Sequence, residues 1–230
     1  MKEIALIVGA GNGLSASLAK LLFSKGFQII LAARNIQKLE AIARKTNARL
    51  CQCDASNSKE VGLLFGKIRG WNQIPTLVVY NPSRRFKGRI ENLNLELAKK
   101  AIETTSLGGL YVSHYAAKEM LQLGRGSIFF TGASASVKGF AESSVFAIGK
   151  FGLRGLAQSL ARELHPQNIH IAHFVIDGQI LNLEKDSPFI ASKDQMLHPD
   201  AIAETYLQFH MQSKSSWSWE IELRPWLEKF

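Results

Sequence analysis

The chain has 230 residues, of which 46% are hydrophobic and 20% charged, and its 28 Lys and Arg against 19 Asp and Glu give a formal net charge of +9. This length and composition suit one globular domain over residues 1–230 with a sizeable core. The sequence has neither an apolar run of about 18 residues nor the pattern of a signal peptide, so we expect a cytoplasmic protein that does not enter a membrane.

The excess of basic residues is scattered mostly over predicted helices, where it forms ordinary solvated faces. One cluster stands apart, Arg-Arg-Phe-Lys-Gly-Arg at residues 84–89. Because no nucleic-acid-binding motif accompanies it, we expect no nucleic-acid partner.

No group of residues has the spacing of a metal site, and the six His are scattered. Cys51 and Cys53 are separated by one residue in a predicted strand, where we expect them to point to opposite faces as ordinary, partly buried thiols. We therefore predict that the protein binds no metal.

The first strand, residues 3–8, runs into a glycine turn and then into a helix. In this arrangement the backbone N–H groups and the helix N-terminus can bind a pyrophosphate. We predict a cofactor site here, and a turn with a purely structural role is the alternative. The predicted site residues are Gly9, Gly11, Asn12, Gly13 and Leu14.

The second strand, residues 27–33, is followed directly by Arg34, about 20 residues beyond the glycines. At this position a carboxylate favours the ribose hydroxyl of NAD(H), whereas Arg accommodates the extra phosphate of NADP(H). Because Ala32, Ala33 and Arg34 include no acid, we predict NADP(H) rather than NAD(H). A solvent-exposed Arg at the start of the next helix is the alternative.

Two further strands end in polar residues. A helix at about residues 37–45 leads to a strand at 48–53 that ends at Asp54 and Ala55, and a strand at 75–80 ends at Asn81. Ligands of a parallel sheet bind beyond the carboxyl ends of its strands, so the cluster at 84–89 should border the site. The cluster favours an anionic substrate, with a solvated loop as the alternative.

The middle of the chain is mostly helical. Residues 93–123 form two predicted helical pieces with a break near residues 104–106, and a fifth strand follows at 126–132. A long helix is then predicted over residues 142–164, in which Phe146 and Lys150 share a face because they are four residues apart. Its apolar stripe, which is typical of a helix that packs on a sheet or on a partner helix, consists of Val145, Ile148, Leu153, Leu156, Leu160 and Leu164.

Glycines leave one side of this long helix bare. Gly149, Gly152 and Gly155 lack side chains, so another backbone or a ligand can come close to the helix there. We therefore expect something to sit against this face.

A sixth strand, residues 169–176, precedes Asp177 and Gly178. Residues 179–198 are irregular and polar, which is typical of a lid over a substrate. A helix begins near His198, and a seventh strand spans residues 217–223. Seven strands that alternate with helices predict an α/β fold in which helical layers cover both faces of a doubly wound parallel sheet.

Several of these residues resemble one family. Phe146-x-x-x-Lys150, the Phe-Gly-Leu-Arg-Gly-Leu that follows and the Ala-Arg-Glu-Leu at 161–164 are similar to the active-site helix of short-chain dehydrogenases/reductases. Gly9 and Gly13 match the glycine motif of that family, with Ser15 in the last glycine position. The resemblance runs nearly end to end and implies a single NAD(P)-binding domain of the Rossmann type.

The resemblance also implies roles in catalysis. Lys150 matches the lysine that holds the nicotinamide ribose, and Phe146 occupies the place of the catalytic Tyr, as in an atypical branch of the family. Counting back from Phe146, Ser134 is the candidate for the catalytic Ser and Ser136 is the reserve. Ser106 stands where the family has an Asn that helps a water chain reach the lysine.

The remaining matches belong to the cofactor site. Asp54 matches a residue that faces the adenine, and it also suits the N-cap region of the helix that starts near Ser58. Asn81 matches an Asn of the family, and Asp177-Gly178 replaces a Pro-Gly that packs on the nicotinamide. The predicted cofactor site is completed by Gly178 and Ile180.

Two functions follow from this reading. The first is an NADP(H)-dependent oxidoreductase that exchanges hydride with a small carbonyl or alcohol substrate, in which Ser134 or a water near Lys150 assists proton transfer because Phe146 cannot donate a proton. The second is a catalytically inactive NADP(H)-binding sensor or interaction protein. Under both, the resemblance implies a homodimer or homotetramer formed through the helix at 142–164 and the helix around residues 111–121.

Overall fold

The structure is a computed structural model that describes residues 2–182 and 193–227. Within these residues nine strands occur, and all of their pairings are parallel. The strands are β1 (Ile4–Val8), β2 (Gln28–Ala33), β3 (Arg49–Gln52), β4 (Leu77–Tyr80), β5 (Gly126–Thr131), β6 (Ile169–Ile176), β7 (Gln179–Ile180), β8 (Met196–Leu197) and β9 (Glu220–Leu223). The main sheet has seven of them, in the order β3-β2-β1-β4-β5-β6-β9, which confirms the predicted doubly wound parallel sheet.

Helices cover both faces of this sheet. Their bounds are α1 (Leu14–Ser24), α2 (Glu40–Thr46), α3 (Ser58–Gly70), α4 (Leu95–Ile102), α5 (Gly108–Leu123), α6 (Ser144–Leu164) and α7 (Pro199–His210). The core on one face is built with α3, α5 and α6, and the core on the other face with α1, α2 and α7. The fold is therefore a three-layer α/β/α arrangement of the Rossmann type.

The sheet reverses its direction of growth at β1. Val8 pairs with Ala32 of β2 on one side and with Tyr80 of β4 on the other. The loops that leave β1 and β4 therefore diverge to opposite faces, which opens a crevice at the carboxyl ends of these strands. Both strands are buried along their whole length, as expected for a parallel sheet covered on both sides.

The predicted break near residues 104–106 is a π-helical turn, not a gap between helices. Residues Glu103–Leu107 form this turn and connect α4 directly to α5. The Tyr80 hydroxyl donates a hydrogen bond to the Thr104 carbonyl, so the turn is held against the end of β4. A single turn of this kind leaves little trace in hydrophobic periodicity.

Helix α6 begins at Ser144, two residues later than predicted, because Glu142 has a φ of 58° and cannot belong to the helix. Within the predicted apolar stripe, Ile148 is 56% exposed and does not pack on the sheet, so of the two expected partners only a partner helix could cover it. The bare face does receive a neighbour: a Cβ on Gly149 would lie 2.8 Å from the Thr105 Cβ of the π-helical turn.

The expectation that Cys51 and Cys53 point to opposite faces is wrong, since side chains two residues apart in an extended chain share a face. Both are 2% exposed and pack in the same core. Burial raises the pKa of the Cys53 thiol to about 12, so this thiol is inert at neutral pH.

The segment predicted to be a lid is only partly irregular. Its ends form the short parallel pair of β7 and β8, in which Gln179 pairs with Met196 and Ile180 with Leu197. Residues 183–192 lie outside the described residues. Among the helices of residues 2–182 and 193–227, none has the length and apolar character needed to cross a bilayer.

Candidate active site

Two clefts lie at the carboxyl ends of the strands, each of about 550 Å³. We call the first the glycine cleft; it is lined by Gly9, Gly11, Asn12, Arg34, Lys38, Asp54, Ala55, Asn81 and their neighbours. We call the second the lysine cleft; it is lined by Lys150, Ser134, Phe146, Arg85, Lys87, Phe140, Gly178, Ile180 and their neighbours. Asn81 and Ser83 line both, so the two clefts adjoin.

The turn after β1 needs glycine at its first position. Gly9 has a φ of +75°, and a Cβ there would lie 2.5 Å from the backbone nitrogen of Pro82. The Asn81 side-chain amide donates a hydrogen bond to the Ser15 hydroxyl at 2.9 Å, which connects the end of β4 to the start of α1. Ser15 therefore has a structural role that glycine could not fill.

The N-terminus of α1 is suited to an anion. Gly13 occupies the N-cap without a side-chain cap, and the first turn of the helix carries no acidic residue. The backbone N–H groups and the helix dipole therefore favour a negative group at this end. Gly13 and Leu14 form the start of the helix and are not among the cleft-lining residues; Leu14 is buried.

Arg34 and Lys38 line the far side of the glycine cleft, and both side chains are exposed. The sequence did not predict Lys38 as a site residue. It lies four residues after Arg34, in the short helical turn before α2, and this spacing could have indicated that both side chains reach the same cleft. Two cationic side chains and no acidic one follow the end of β2. This arrangement favours the ribose phosphate of NADP(H) over the free ribose hydroxyl of NAD(H).

Asp54 belongs to the glycine cleft and does not cap α3. Its carboxylate accepts hydrogen bonds from the Ser56 backbone N–H at 3.0 Å and from the Ser56 hydroxyl at 2.7 Å. The N-cap of α3 is Asn57, whose side chain accepts from the backbone N–H groups of Lys59 and Glu60. Asn57 is thus the N-cap of α3, and Asp54 holds the loop just before it.

Lys150 lies at the bottom of the lysine cleft, where it is only 2% exposed. Its ammonium donates a hydrogen bond to the Thr131 carbonyl at 2.7 Å and lies 5.9 Å from the centre of the Phe146 ring. Burial lowers the pKa of Lys150 to about 7. A buried lysine that titrates near neutral pH inside a cleft is typical of a functional site.

The structure separates the two candidate serines. Ser134 lines the lysine cleft, whereas Ser136 is buried and its hydroxyl accepts a hydrogen bond from the Ala133 backbone N–H. Ser134 is also among the groups that lower the pKa of the Asp177 carboxyl. The geometry therefore favours Ser134 as the serine that a substrate can reach.

Asp177 is buried in a polar cluster that the sequence did not predict. Lys138 lies 3.3 Å from its carboxylate and Arg224 lies 2.5 Å from it. Burial raises the pKa of Asp177, but the hydrogen bonds from Ser134 and Lys138 and the charges of Lys138 and Arg224 outweigh this effect and hold the pKa below its usual range. Asp177 is thus a carboxylate with a structural task, which the Pro of the family cannot perform.

Gly178 allows the chain to turn away after Asp177. Its φ is +153°, and a Cβ there would lie 2.7 Å from the Pro225 ring. Together with Ile180 it lines the lysine cleft. In the basic cluster at 84–89, Arg85 and Lys87 line this cleft.

The parallel sheet, the glycine turn and the adjoining clefts define a dinucleotide-binding fold. The family model for short chain dehydrogenases matches residues 3–177, and the chain belongs to this family. Among the residues that the structure describes, no cluster of His, Cys, Asp and Glu could hold a metal ion.

The chain is similar to known proteins over nearly its whole length. An uncharacterized oxidoreductase of Staphylococcus aureus is 24% identical over 229 residues, which cover 97% of each protein. A short-chain dehydrogenase of Rhodopseudomonas palustris superposes with a TM-score of 0.83 at 32% identity, with 97% of this chain and 99% of that chain covered. An alcohol dehydrogenase of the archaeon Thermococcus sibiricus, complexed with 5-hydroxy-NADP, superposes with a TM-score of 0.88 at 21% identity over 100% of this chain and 99% of that chain.

The residues present fit the nicotinamide cofactor of this family. The uncapped helix N-terminus and the glycine at φ +75° provide a surface for a pyrophosphate. The cleft continues from there past Asn81 to Lys150. The reaction that this arrangement supports depends on how a proton is supplied, since Phe146 has no hydroxyl group.

Proposed function

We propose that the protein is an NADP(H)-dependent oxidoreductase of an atypical branch of the family, which transfers hydride to or from a carbonyl or alcohol substrate without an active-site Tyr. The observation that carries this proposal is the buried Lys150 at the bottom of a cleft that adjoins the glycine cleft. Burial of a lysine costs free energy, and a role in holding the cofactor would explain why a lysine occupies this position.

The adenosine half of NADP(H) would lie in the glycine cleft. Asp54 and Ala55 would face the adenine, Gly11 and Asn12 the pyrophosphate, and Arg34 with Lys38 the ribose phosphate. The complex of the Thermococcus sibiricus alcohol dehydrogenase with 5-hydroxy-NADP supports this choice by analogy of fold. The nicotinamide supplies or accepts the hydride.

Lys150 and Ser134 would handle the proton. Ser134 lines the lysine cleft, and the Asp177 carboxylate, whose pKa it helps to lower, would compete with a substrate oxygen for its proton. Lys150, which burial brings to a pKa of about 7, can supply a proton through a water without this competition. In the reduction, the carbonyl carbon takes the hydride, the oxygen takes the proton, and neutral Lys150 recovers a proton from solvent.

The second candidate function is an NADP(H)-binding sensor or interaction protein. Phe146 favours it, because this position carries the proton donor in the enzymes that the chain resembles and a phenyl ring cannot take that role. Both candidates require cofactor binding, so they differ only in turnover.

The deciding experiment follows NADPH oxidation with a panel of aldehydes and ketones, for the wild type and for Ser134→Ala. We expect steady turnover with some members of the panel, and a loss in Ser134→Ala of less than about 10-fold if a water beside Lys150 delivers the proton. Ser58→Ala is the matched control, since Ser58 is exposed at the start of α3 and lines neither cleft. Tight NADPH binding without turnover on any compound would refute the enzyme and support the sensor.

We also propose that two copies of the chain pair through α5 and α6 into a homodimer, or a homotetramer. Large apolar side chains are exposed along this surface, among them Leu107, Leu110, Ile148 and Phe151. Sedimentation velocity should show a dimer or tetramer in dilute solution, and Ile148→Glu should dissociate it. A monomer in the wild type would refute this proposal. The single domain, the lid at 179–198 and the cytoplasmic location stay predictions.

A further inference from the structure

We propose that the lysine cleft binds a small carbonyl compound that has an apolar body and a carboxylate group, with Arg85 and Lys87 as the residues that recognise the carboxylate. This inference rests on the proposed function, because it names the class of substrate for the same site. It would make Arg85 and Lys87 specificity-determining residues outside the family's catalytic set.

The positions of the two side chains carry the first step. Arg85 and Lys87 both line the cleft that has Lys150 at its bottom, and both are exposed to solvent. They alternate with Phe86, which is half-buried and packs against the small apolar cluster of α4 and α6. In an extended segment this alternation sends the two cations to the cleft side and the ring to the protein side.

The segment that carries them is anchored at both ends. The Gly88 backbone N–H donates to the Glu142 carbonyl at 2.9 Å, and the Arg84 backbone N–H donates to the Thr105 hydroxyl at 3.3 Å. These bonds connect the segment to the loop before α6 and to the π-helical turn. The cations therefore stand at a defined edge of the cleft, which argues against a merely solvated loop.

The charge of the cleft is one-sided. Among the residues that the structure describes, no carboxylate lines the lysine cleft, whereas Arg85, Lys87 and Lys150 all do. The nearby Asp177 is already neutralised by Lys138 and Arg224. A cleft whose charged lining residues are all cationic attracts anionic ligands. The planar guanidinium of Arg matches the geometry of a carboxylate in particular.

Aromatic side chains complete the recognition. Phe140 is 51% exposed, Phe146 is half-buried, and both line the same cleft. The two rings provide apolar surface in the same cleft as the three cationic side chains. The replacement of Tyr by Phe at position 146 thus adds to the apolar surface that a substrate body can cover.

The experiment compares aromatic carbonyl carboxylates with their neutral methyl esters. The probes are phenylpyruvate, phenylglyoxylate and terephthalaldehydic acid, each with its ester, and ligand-observed NMR measures affinity with and without NADP⁺. We expect at least one acid to bind about 10-fold tighter than its ester, which two solvent-exposed charge contacts can supply together. The double variant Arg85→Gln/Lys87→Gln should abolish this preference and leave ester binding unchanged.

The matched control changes the same net charge elsewhere. Arg89 pairs with Glu91 at 2.9 Å and Lys99 lies exposed on α4, and neither lines the cleft. Arg89→Gln/Lys99→Gln should keep the preference for the acid. As a second measurement, added salt should weaken acid binding to the wild type but not ester binding.

Three results would overturn the proposal: failure of every acid to bind, equal affinity of acids and esters, or an unchanged preference in the double variant. The proposed function fails separately, if the wild type does not bind NADPH or binds it without turnover of any carbonyl compound. Arg85 and Lys87 do not line the glycine cleft, so their replacement should leave NADPH affinity unchanged.

Discussion

Lys150→Met should stabilise the protein in the absence of cofactor. Burial lowers the pKa of Lys150 from 10.5 to about 7, and each factor of ten in proton affinity corresponds to about 1.4 kcal/mol. At neutral pH the wild type therefore loses about 4 kcal/mol by burying this ammonium group. Met cannot donate to the Thr131 carbonyl, and leaving this carbonyl unpaired costs about 2 kcal/mol, so the variant should gain about 2 kcal/mol in free energy of unfolding.

The cost of burying Lys150 depends on pH, because its pKa differs between the folded and the unfolded state. Between about pH 7 and pH 10 the unfolded lysine holds a proton that the folded one has released, so the wild type should become more stable as the pH rises, by about 2 kcal/mol between pH 7 and pH 9. Below about pH 7 both states are protonated and the full cost remains. The difference between variant and wild type should therefore shrink as the pH rises.

Urea denaturation of both proteins at several pH values measures these quantities. The matched control is Lys118→Met, which removes an exposed lysine of α5 and should change stability by less than about 0.5 kcal/mol. A Lys150→Met variant that is less stable than the wild type, with the same pH dependence, would refute the reasoning. The expected result would mark Lys150 as a residue that costs stability and is kept for function.

Three further predictions concern the site and its support. Phe146→Tyr should raise kcat/KM for carbonyl reduction by about 100-fold, the lower end of what a positioned general acid contributes, and unchanged steady-state kinetics would contradict this. On α3, Gly66→Ala should raise the free energy of unfolding by about 0.5 to 1 kcal/mol because a Cβ there meets no atom, whereas Gly62→Ala should lower it because its Cβ would lie 2.8 Å from the Tyr115 hydroxyl. If both glycine variants shift the melting temperature in the same direction, the described packing around Gly62 and Gly66 is wrong. Because burial lowers the pKa of His173 to about 4, the free energy of unfolding should fall as the pH drops below about 6.5, and His173→Asn should reduce that slope in acid denaturation.

The main sheet could be predicted because each of its strands is an apolar run or ends at a turn residue. The bounds of β6 agree with the prediction residue for residue, since Ile169–Ile176 is buried throughout. The pair of β7 and β8 could not be predicted, because two residues are too few to show a period. Which residues of the α6 stripe pack on the sheet could not be predicted, since an apolar residue at helical spacing can face the sheet, solvent or a second subunit, and Ile148 is exposed.

Parts of the candidate site could be predicted because they lie at fixed distances from the glycine turn or along one helix. The structure brings Gly9, Arg34, Asp54 and Asn81 to one cleft, as the resemblance implies. The ion pair of Asp177 with Arg224 could not be found, because its partners are 47 residues apart and meet only through the pairing of β6 with β9. Contacts of this kind depend on the topology of the sheet and leave no local pattern.

The central claim is that the two clefts hold NADP(H), and fluorescence titration with NADPH and with NADH tests it most directly. We expect the wild type to bind NADPH about 10-fold or more tightly than NADH, because Arg34 and Lys38 can contact the additional phosphate. Arg34→Ala should remove most of this gap and leave NADH affinity unchanged. Binding of neither nucleotide below about millimolar concentration, or an equal affinity for both in the wild type, would contradict the account.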